Sequence, residues 1–312
     1  MKYLVIGAGG TGGAIGGFLT RAGKDVTLIA RGRHLEAMRR DGLRFETVEG
    51  DFTVPVRACT MEEYDGQPDV IFVCVKGYSL DDTVPFIHRV AGAHTVVIPI
   101  LNIYGTGGRL QAQLPELTVT DGCIYISAEI KSPGVILMLG KIFRVVYGFR
   151  KDTPGKVRET FGPVLEAVAR DLEDGEILPI LSNQIEKDAL QKFSYVSPAA
   201  AVGACCGAVA ADMQKEGPAR DTFAALIQEI KALSDAMDAS LPENIVQINL
   251  DILDSLAPNA STSMQRDIQA GKQSEVDGLV YEVVRLGEKW NVPVPTYETM
   301  AEKLKVKLGE VK

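Results

Sequence analysis

The stretch Ile6-Gly7-Ala8-Gly9-Gly10-Thr11-Gly12 closes an apolar run, Tyr3–Ile6, and opens a helical segment. Its glycines match the pattern G-x-G-x-x-G. In that pattern the first glycine permits a tight turn, the second lets the backbone approach a pyrophosphate, and the third lets helix and strand pack closely. A second strand, Asp25–Ala30, follows. The stretch therefore predicts a dinucleotide site. Its contacts would come from Gly7, Ala8, Gly9, Gly10, Thr11 and Gly12.

The end of the second strand indicates which dinucleotide binds. An NAD site usually has Asp or Glu there, which binds the ribose 2′-hydroxyl. This chain has Ala30-Arg31-Gly32-Arg33 instead. No carboxylate would repel a 2′-phosphate, and the Arg31 guanidinium could bind one bidentately. The sequence therefore favours NADPH over NADH. The alternative is that Arg31 and Arg33 are only solvated loop charges.

The first half of the chain alternates short apolar runs with helical or turn segments. Four runs have the composition of strands buried on both faces of a parallel sheet: Tyr3–Ile6, Val26–Ala30, Val70–Val75 and Thr95–Ile100. Two further segments, Cys123–Glu129 and Val135–Leu139, predict a hairpin around Pro133-Gly134. Strands alternating with helices are typical of an α/β domain. We therefore expect an N-terminal Rossmann domain.

Helical spacing then replaces the strand pattern. Pro154 opens a helix whose apolar face would hold Phe161, Val164, Leu165, Val168 and Leu172. Asp174-Gly175-Glu176 and Pro179 interrupt this pattern, which predicts a domain boundary near residue 180. Two later segments have helical spacing: Ala224–Met237, and Val276–Trp290 with Leu279, Val283, Leu286 and Trp290 on one face. The prediction is a Rossmann domain over residues 1–179 and a mainly helical domain over residues 180–312.

The composition is that of a globular protein and argues against several classes. A length of 312 residues suggests two domains. The net charge of −8 is a poor basis for binding nucleic acid or an anionic membrane. The uncharged stretch from Phe193 to Ala211 is rich in alanine and contains Pro198, so it predicts a buried helix rather than a membrane span. A small molecule is therefore the expected partner, and a homodimer stays open.

Cysteine and histidine usage predicts no metal or redox site. The five cysteines have no C-x-x-C spacing, which is typical of reduced, mostly buried thiols in a cytoplasmic protein. The N-terminus runs directly into a strand and lacks the features of a signal peptide. No metal-ligand cluster stands out. A surface position is expected for each of the three histidines, His34, His88 and His94.

Polar side chains follow two of the predicted strands. Lys76 comes after Val73-Cys74-Val75, and Asn102 comes after Thr95–Ile100 and Leu101. Ligands of open α/β sheets bind at the carboxyl edge of the strands. Lys76 and Asn102 are therefore candidates for contacts with the cofactor or with the substrate. The alternative is that both are ordinary loop residues.

Three residues of the second domain could take part in chemistry. Lys192 begins an uncharged helical stretch. Partial desolvation there would lower its pKa and make it a general acid near neutral pH, unless its ammonium group simply reaches water. Ser263 offers a hydroxyl to a carboxylate, and Glu275 precedes a helix. The simpler interpretation is that Ser263 starts a helix and that Glu275 is a charge at a helix N-terminus.

With these residues in place, the sequence resembles the ketopantoate reductase (2-dehydropantoate 2-reductase) family over nearly its whole length. The segments that carry the resemblance are Gly7-x-Gly9-x-x-Gly12, Cys74-Val75-Lys76, Leu101-Asn102, Ile126-Ser127-Ala128-Glu129, Ser132-Pro133-Gly134, Gln191-Lys192-Phe193, Thr262-Ser263-Met264-x-x-Asp267 and Gly271-Lys272-x-x-Glu275. The glycine motif is shared by many dehydrogenases. The block from Ser263 to Glu275 is much more specific.

The resemblance implies a Rossmann domain, a helical C-terminal domain like that of 6-phosphogluconate dehydrogenase, and NADPH-dependent reduction of the 2-oxo acid ketopantoate to pantoate. Lys192 matches the family's catalytic lysine, which protonates the developing alkoxide. Glu275 matches a carboxylate that binds the substrate hydroxyl or the lysine. Ser263 matches the serine that binds the substrate carboxylate. Asn102 and Lys76 match residues near both cofactor and substrate.

The sequence also departs from the best-known members of the family. They have a tryptophan where this chain has Leu190, and asparagines where it has Val196 and Ala200. Their Asn-Gly is Asn102-Ile103 here, and Ala260 replaces a further asparagine. Three hypotheses follow: a ketopantoate reductase, an NADPH-dependent reductase of another bulky or branched 2-oxo acid, and a dinucleotide-binding sensor without turnover.

Overall fold

The structure, a computed structural model, describes residues 1–310. The contacts between Cα atoms divide the chain into two units. The first comprises Met1–Leu101 with Gly105–Asp188, and the second comprises Asn102–Tyr104 with the chain from Ala189 onward.

All strands of residues 1–310 lie in the first unit. They are β1 (Lys2–Ile6), β2 (Asp25–Ile29), β3 (Leu43–Thr47), β4 (Phe52–Val54), β5 (Arg57–Cys59), β6 (Val70–Val73), β7 (Val96–Pro99), β8 (Thr118–Val119), β9 (Asp121–Ser132), β10 (Val135–Gly148) and β11 (Leu178–Leu181). The helices are α1 (Gly10–Arg21), α2 (Gly32–Asp41), α3 (Val84–Val90), α4 (Thr106–Gln113), α5 (Gly155–Asp174), α6 (Ile185–Cys206), α7 (Ala210–Gln214), α8 (Pro218–Ala236), α9 (Ile245–Asp254), α10 (Ser263–Gln269), α11 (Glu282–Trp290) and α12 (Pro295–Lys307).

The first sheet is a parallel, doubly wound sheet with the strand order β5-β2-β1-β6-β7-β8. Its four predicted strands are confirmed as β1, β2, β6 and β7. In register, Ile6 pairs with Ile29 and with Val73, and Val73 pairs with Pro99. The carboxyl ends of these strands are therefore level. The chain leaves β1 toward β2 on one side and returns later to β6 on the other, which makes this edge the switch point where nucleotides bind.

A second, five-stranded sheet was only partly predicted. The hairpin of β9 and β10 is confirmed and is longer than expected. Along the edge of β10 away from β9, β3 pairs with residues 135–138 and β11 pairs with residues 144–147. Strand β4 pairs in turn with β3. Helix α1 contacts strands of both sheets, and the Phe18 ring meets Phe45, Phe52 and Phe143 edge-on at 5.2–5.4 Å between centroids. The predicted helix after Pro154 is α5, with Leu165, Val168 and Leu172 buried.

The second unit is helical, as expected, and α8 confirms the helix predicted at Ala224–Met237. The predicted helix at Val276–Trp290 is interrupted by a π turn over Asp277–Tyr281 before α11 begins. Leu279 and Val283 are buried, whereas Trp290, the last residue of α11, is 42% exposed. Such a π turn closes i→i+5 hydrogen bonds, which a regular helical spacing does not anticipate.

Among the described residues, no helix combines the length and apolarity that crossing a membrane requires. The stretch after Phe193 forms most of α6, and its Ala199, Ala200, Ala201 and Val202 are buried in the core of the second unit. The five cysteines form no disulfide within residues 1–310; Cys123 is buried, Cys206 is exposed and the other three are half-buried. The expectation of mostly buried thiols was therefore too strong.

A buried carboxylate holds the start of α4. The Asp121 side chain is 6% exposed, and its Oδ1 accepts a hydrogen bond from the backbone N–H of Gly107 at 2.7 Å. Burial raises the pKa of Asp121 from 3.8 to about 6. Since the folded pKa is the higher one, ionising this group destabilises the fold as pH rises through the window from about 4 to 6.

We therefore expect Asp121→Asn, which keeps an acceptor for Gly107, to stabilise the protein relative to wild type more at pH 8 than at pH 4. The gain from pH 4 to pH 8 should approach about 3 kcal/mol in the free energy of unfolding. Urea unfolding at the two pH values measures it, and Asp82→Asn, at an exposed position, is the control. A pH-independent difference for Asp121→Asn would contradict this account.

Candidate active site

The glycine-rich turn between β1 and α1 has the backbone geometry that the sequence pattern predicts. Gly7 has φ of +96°, a left-handed conformation that favours glycine. The backbone N–H groups of Gly7 and Ala8 donate to the carbonyl of Ile29 at 3.2 and 3.0 Å. A Cβ atom on Gly12 would lie 2.1 Å from the Gly7 carbonyl oxygen. Two of the three motif glycines are therefore required by the fold itself.

Gly9 differs from these two, because a Cβ atom there would meet nothing within 4 Å. Its φ of −73° is also open to other residues. Neither packing nor backbone conformation therefore explains a glycine at this position. It stands immediately before α1, whose first turn leaves backbone N–H groups without intrahelical partners. Open space in front of such donors fits the pyrophosphate of a dinucleotide.

The other three residues of the turn, Ala8, Gly10 and Thr11, pack against the rest of the first unit. A Cβ atom on Gly10 would lie 2.3 Å from the Ala128 carbonyl oxygen on β9, so Gly10 permits close packing there. Ala8 is 4% exposed, and Thr11 is half-buried. The turn is thus fixed by β2 and β9 before any ligand binds.

The arginines after β2 lie at the surface. Arg31 precedes α2 in an extended conformation, and Arg31 and Arg33 are both exposed. Within residues 1–310, neither guanidinium group forms an ion pair or a hydrogen bond. Arg31 is therefore available to an anionic ligand near the switch point.

Lys76 is half-buried after β6 and precedes a short 3₁₀ turn, Gly77–Ser79. The backbone N–H of Ser79 donates a hydrogen bond to the backbone carbonyl of Lys76 at 2.9 Å. Lys76 thus leaves the same sheet edge as the glycine-rich turn.

The second unit brings two predicted residues together. The ammonium group of Lys192, on α6, donates a hydrogen bond to Asn102 Oδ1 at 2.5 Å. Both residues are half-buried. Asn102 and Lys192 are far apart in the chain, so no spacing rule could reveal this contact. The pair presents a cation and an amide, which suits a polar substrate oxygen.

Buried hydrogen bonds fix the orientation of α6 around Lys192. Asn249 on α9 donates through Nδ2 to the Ser194 carbonyl and hydroxyl oxygens at 3.1 and 2.9 Å. The Ser197 hydroxyl donates to the Leu279 carbonyl at 2.5 Å and lies 2.5 Å from the Tyr297 hydroxyl. These contacts turn the serines inward and leave Lys192 on the opposite side. Asn249 could not be predicted from the sequence, because a single buried asparagine belongs to no sequence pattern.

Ser263 is the first residue of α10, and Glu275 lies between α10 and the π turn. The Glu275 side chain is only 5% exposed, and its backbone carbonyl accepts from the Leu279 N–H at 2.9 Å. A buried carboxylate is unusual for a simple helix-end charge. The cap of α10 is Thr262, whose hydroxyl accepts from the Gln265 N–H, so Ser263 is not the capping residue. Among the described residues, the half-buried Ser263 hydroxyl has no hydrogen-bond partner.

His34 is not the surface residue that we expected. Its ring is half-buried, and its Nδ1 accepts a hydrogen bond from the Gly134 N–H at 3.0 Å. Burial lowers the pKa of His34. The ring is half-buried because α2 folds back onto the β9–β10 turn, a contact that local sequence does not indicate. The other two histidines, His88 and His94, are exposed as predicted.

Comparison with known proteins agrees with this geometry. The family model described as ketopantoate reductase PanE/ApbA matches residues 3–152, and the model of its C-terminal domain matches residues 184–308. The chain belongs to the ketopantoate reductase family. Members of this family are oxidoreductases, and the Rossmann and helical units correspond to its two family models.

Individual relatives of this ketopantoate reductase family member are distant. It is 27% identical to the uncharacterized oxidoreductase YkpB of Bacillus subtilis, covering 98% of both chains. It is 26% identical to a 2-dehydropantoate 2-reductase of Mesorhizobium japonicum, covering 96% of this chain and 95% of that protein. A solved ternary structure of D-mandelate dehydrogenase with NADH and anilino(oxo)acetate shares the fold, with a TM-score of 0.86 at 19% identity and 99% coverage of each chain.

Proposed function

We propose that this protein reduces 2-dehydropantoate (ketopantoate) to pantoate with NADPH, a step in pantothenate and coenzyme A biosynthesis. The observation that carries the proposal is the hydrogen bond from Lys192 to Asn102, which places an ammonium group in a half-buried site. Membership of the ketopantoate reductase family and similarity to a 2-dehydropantoate 2-reductase support it.

The proposed chemistry divides between the cofactor and the protein. When bound, NADPH supplies a hydride to C2 of the 2-oxo acid. Lys192 binds the C2 carbonyl oxygen and donates a proton from Nζ, so the product is the 2-hydroxy acid. Asn102 holds the Lys192 ammonium through Oδ1 and fixes its direction. A new hydrogen bond to the substrate therefore needs no rearrangement of the lysine.

Two further side chains would bind the rest of the substrate. The free hydroxyl of Ser263 suits the C1 carboxylate, which accepts hydrogen bonds. The buried carboxylate of Glu275 suits a hydroxyl or the lysine itself. Lys76 and Asn102 complete the set of proposed cofactor and substrate contacts.

The residues at the glycine-rich turn fit a dinucleotide, and Arg31 is the group that would select NADPH. Arg31→Ala should lower kcat/KM for NADPH by about 10- to 100-fold, because charge-assisted hydrogen bonds to the 2′-phosphate are lost. Turnover with NADH, which lacks that phosphate, should change less than about threefold. Steady-state kinetics with both cofactors measure this, with Arg33→Ala as the matched variant. Equal losses with NADPH and NADH would count against a 2′-phosphate site at Arg31.

Isotope transfer tests the reaction itself. The protein is incubated with ketopantoate and NADPH deuterated at C4 of the nicotinamide, with each face labelled in turn. We expect pantoate carrying one deuterium from one label and none from the other. Pantoate without deuterium from either label, or no pantoate, would overturn the proposal.

A second candidate is reduction of another bulky or branched 2-oxo acid. The observation in its favour is Val196, which is apolar and half-exposed one turn beyond Lys192. Ala200 is fully buried in the core, so it does not contribute to this comparison. Kinetics with a panel of 2-oxo acids would distinguish the two substrates.

A further inference from the structure

The π turn over Asp277–Tyr281 contacts the segments of the second unit that carry proposed site residues. Interruptions of this kind inside helices occur frequently at functional sites. This one begins shortly after Glu275, and the backbone N–H of its Leu279 donates a hydrogen bond to the Glu275 carbonyl at 2.9 Å. The backbone of Glu275 is therefore tied to the turn.

The turn also supports the segment that carries Asn102. Ile103, the next residue, packs so closely on the turn that a Cβ atom on Gly278 would lie 2.3 Å from its Cδ1 atom. Tyr104 places its ring 6.1 Å from the ring of Phe193 on α6. Asn102 is thus followed by two side chains, of which one rests on the π turn and the other lies beside α6.

A chain of buried hydrogen bonds connects the same turn to α6, the helix of Lys192. The Ser197 hydroxyl on α6 donates to the Leu279 carbonyl at 2.5 Å. Because a serine hydroxyl has one hydrogen to donate, the Tyr297 hydroxyl, at 2.5 Å, donates to Ser197. Ser197 and Tyr297 are both 0% exposed, so loss of either hydroxyl leaves a buried polar group without its partner.

The far end of this chain is fixed by α8. The Glu229 carboxylate accepts hydrogen bonds from the backbone N–H groups of Thr296 and Tyr297, at 2.7 and 3.0 Å. These donors belong to the first turn of α12, where backbone N–H groups have no partners within the helix. The Tyr297 hydroxyl therefore reaches Ser197 from a helix start that is itself held in place.

We propose that Ser197 and Tyr297 are positioning residues that hold the π turn against α6 and, through it, keep the proposed site residues aligned for reduction. This inference rests on the proposed function and concerns two buried side chains that act through others. Misplacement of a reacting group by about 1 Å can cost about 100-fold in rate. Loss of either hydroxyl should therefore slow the chemical step and leave NADPH binding at the glycine-rich turn unchanged.

Tyr297→Phe removes the hydroxyl and keeps the ring, and Tyr147→Phe is the matched control. Tyr147 is also 0% exposed, and its hydroxyl donates to the Leu165 carbonyl at 2.8 Å in the first unit. Both variants should lower the melting temperature by a similar few degrees. Only Tyr297→Phe should lower the single-turnover rate of ketopantoate reduction, by about 10- to 100-fold, while its Kd for NADPH changes less than about threefold.

Ser197→Ala should lower the same rate by a similar factor. The double variant should lose little more than either single variant, because the two hydroxyls act in one chain. Hydrogen exchange of the backbone amides of residues 275–284, measured without ligand, reports on the π turn directly. It should be faster in Ser197→Ala and Tyr297→Phe than in wild type or Tyr147→Phe.

Wild-type single-turnover rates in folded Tyr297→Phe and Ser197→Ala would overturn the inference, and so would wild-type hydrogen exchange in both. Absence of ketopantoate turnover by wild type would instead count against the proposed function. In that case the hydrogen exchange would still decide whether these two hydroxyls hold the π turn.

Discussion

Replacement of Lys192 by alanine is expected to lower kcat/KM for 2-oxo acid reduction by about 10²- to 10⁴-fold, the usual contribution of a positioned general acid. The Lys192 ammonium is the group that Asn102 orients at 2.5 Å, and alanine removes both the proton and the positive charge. NADPH affinity should change less than about threefold, because the variant leaves the glycine-rich turn intact. Stopped-flow reduction and fluorescence titration of NADPH measure the two quantities.

Lys187→Ala is the matched control, since it removes another half-buried lysine from α6. It should retain near wild-type turnover. If Lys192→Ala retained full turnover, the proton would come from another group. If wild type bound NADPH and reduced none of the 2-oxo acids, the sensor hypothesis would gain support over an enzyme.

The second large effect is expected from replacing two glycines of the same turn by alanine. One replacement should impair cofactor binding and the other should impair folding stability. Gly9→Ala should fold normally, since its Cβ atom meets nothing within 4 Å. It should weaken NADPH binding by about 10- to 100-fold, because the methyl group keeps the pyrophosphate from charge-assisted backbone hydrogen bonds. Gly12→Ala places Cβ 2.1 Å from the Gly7 carbonyl oxygen, so it should destabilise the fold by about 1–3 kcal/mol or more.

Thermal unfolding without ligand and calorimetric titration with NADPH distinguish these outcomes. Gly162→Ala on α5 is the control, because its Cβ atom also meets nothing within 4 Å and it lies outside the turn. Unchanged NADPH affinity in a folded Gly9→Ala protein would show that the cofactor does not approach this glycine.

Sequence predicted the first sheet well because its strands are continuous apolar runs between clear turn residues. The second sheet was harder to predict. Strand β3, Leu43–Thr47, is short and half polar, and β11 contains Pro179, a residue that predicts an interruption of regular structure. Proline is tolerated on an edge strand, and β11 pairs only with β10. Local patterns could not show this, since the pairing joins distant segments.

In the candidate site too, single residues could be predicted from the sequence, whereas contacts between distant segments could not. The sequence predicts Lys192 and Asn102 as separate candidates, and only the fold shows that Lys192 donates a hydrogen bond to Asn102. The role of Asn249 and the burial of His34 depend on packing between distant elements, so no spacing rule reveals them.

The proposed reduction of ketopantoate is tested most simply by steady-state oxidation of NADPH by the purified protein, with NADH and a panel of other 2-oxo acids measured alongside. We expect efficient turnover with ketopantoate and a clear preference for NADPH over NADH. Absence of NADPH oxidation with every 2-oxo acid, in protein shown to bind NADPH, would contradict it.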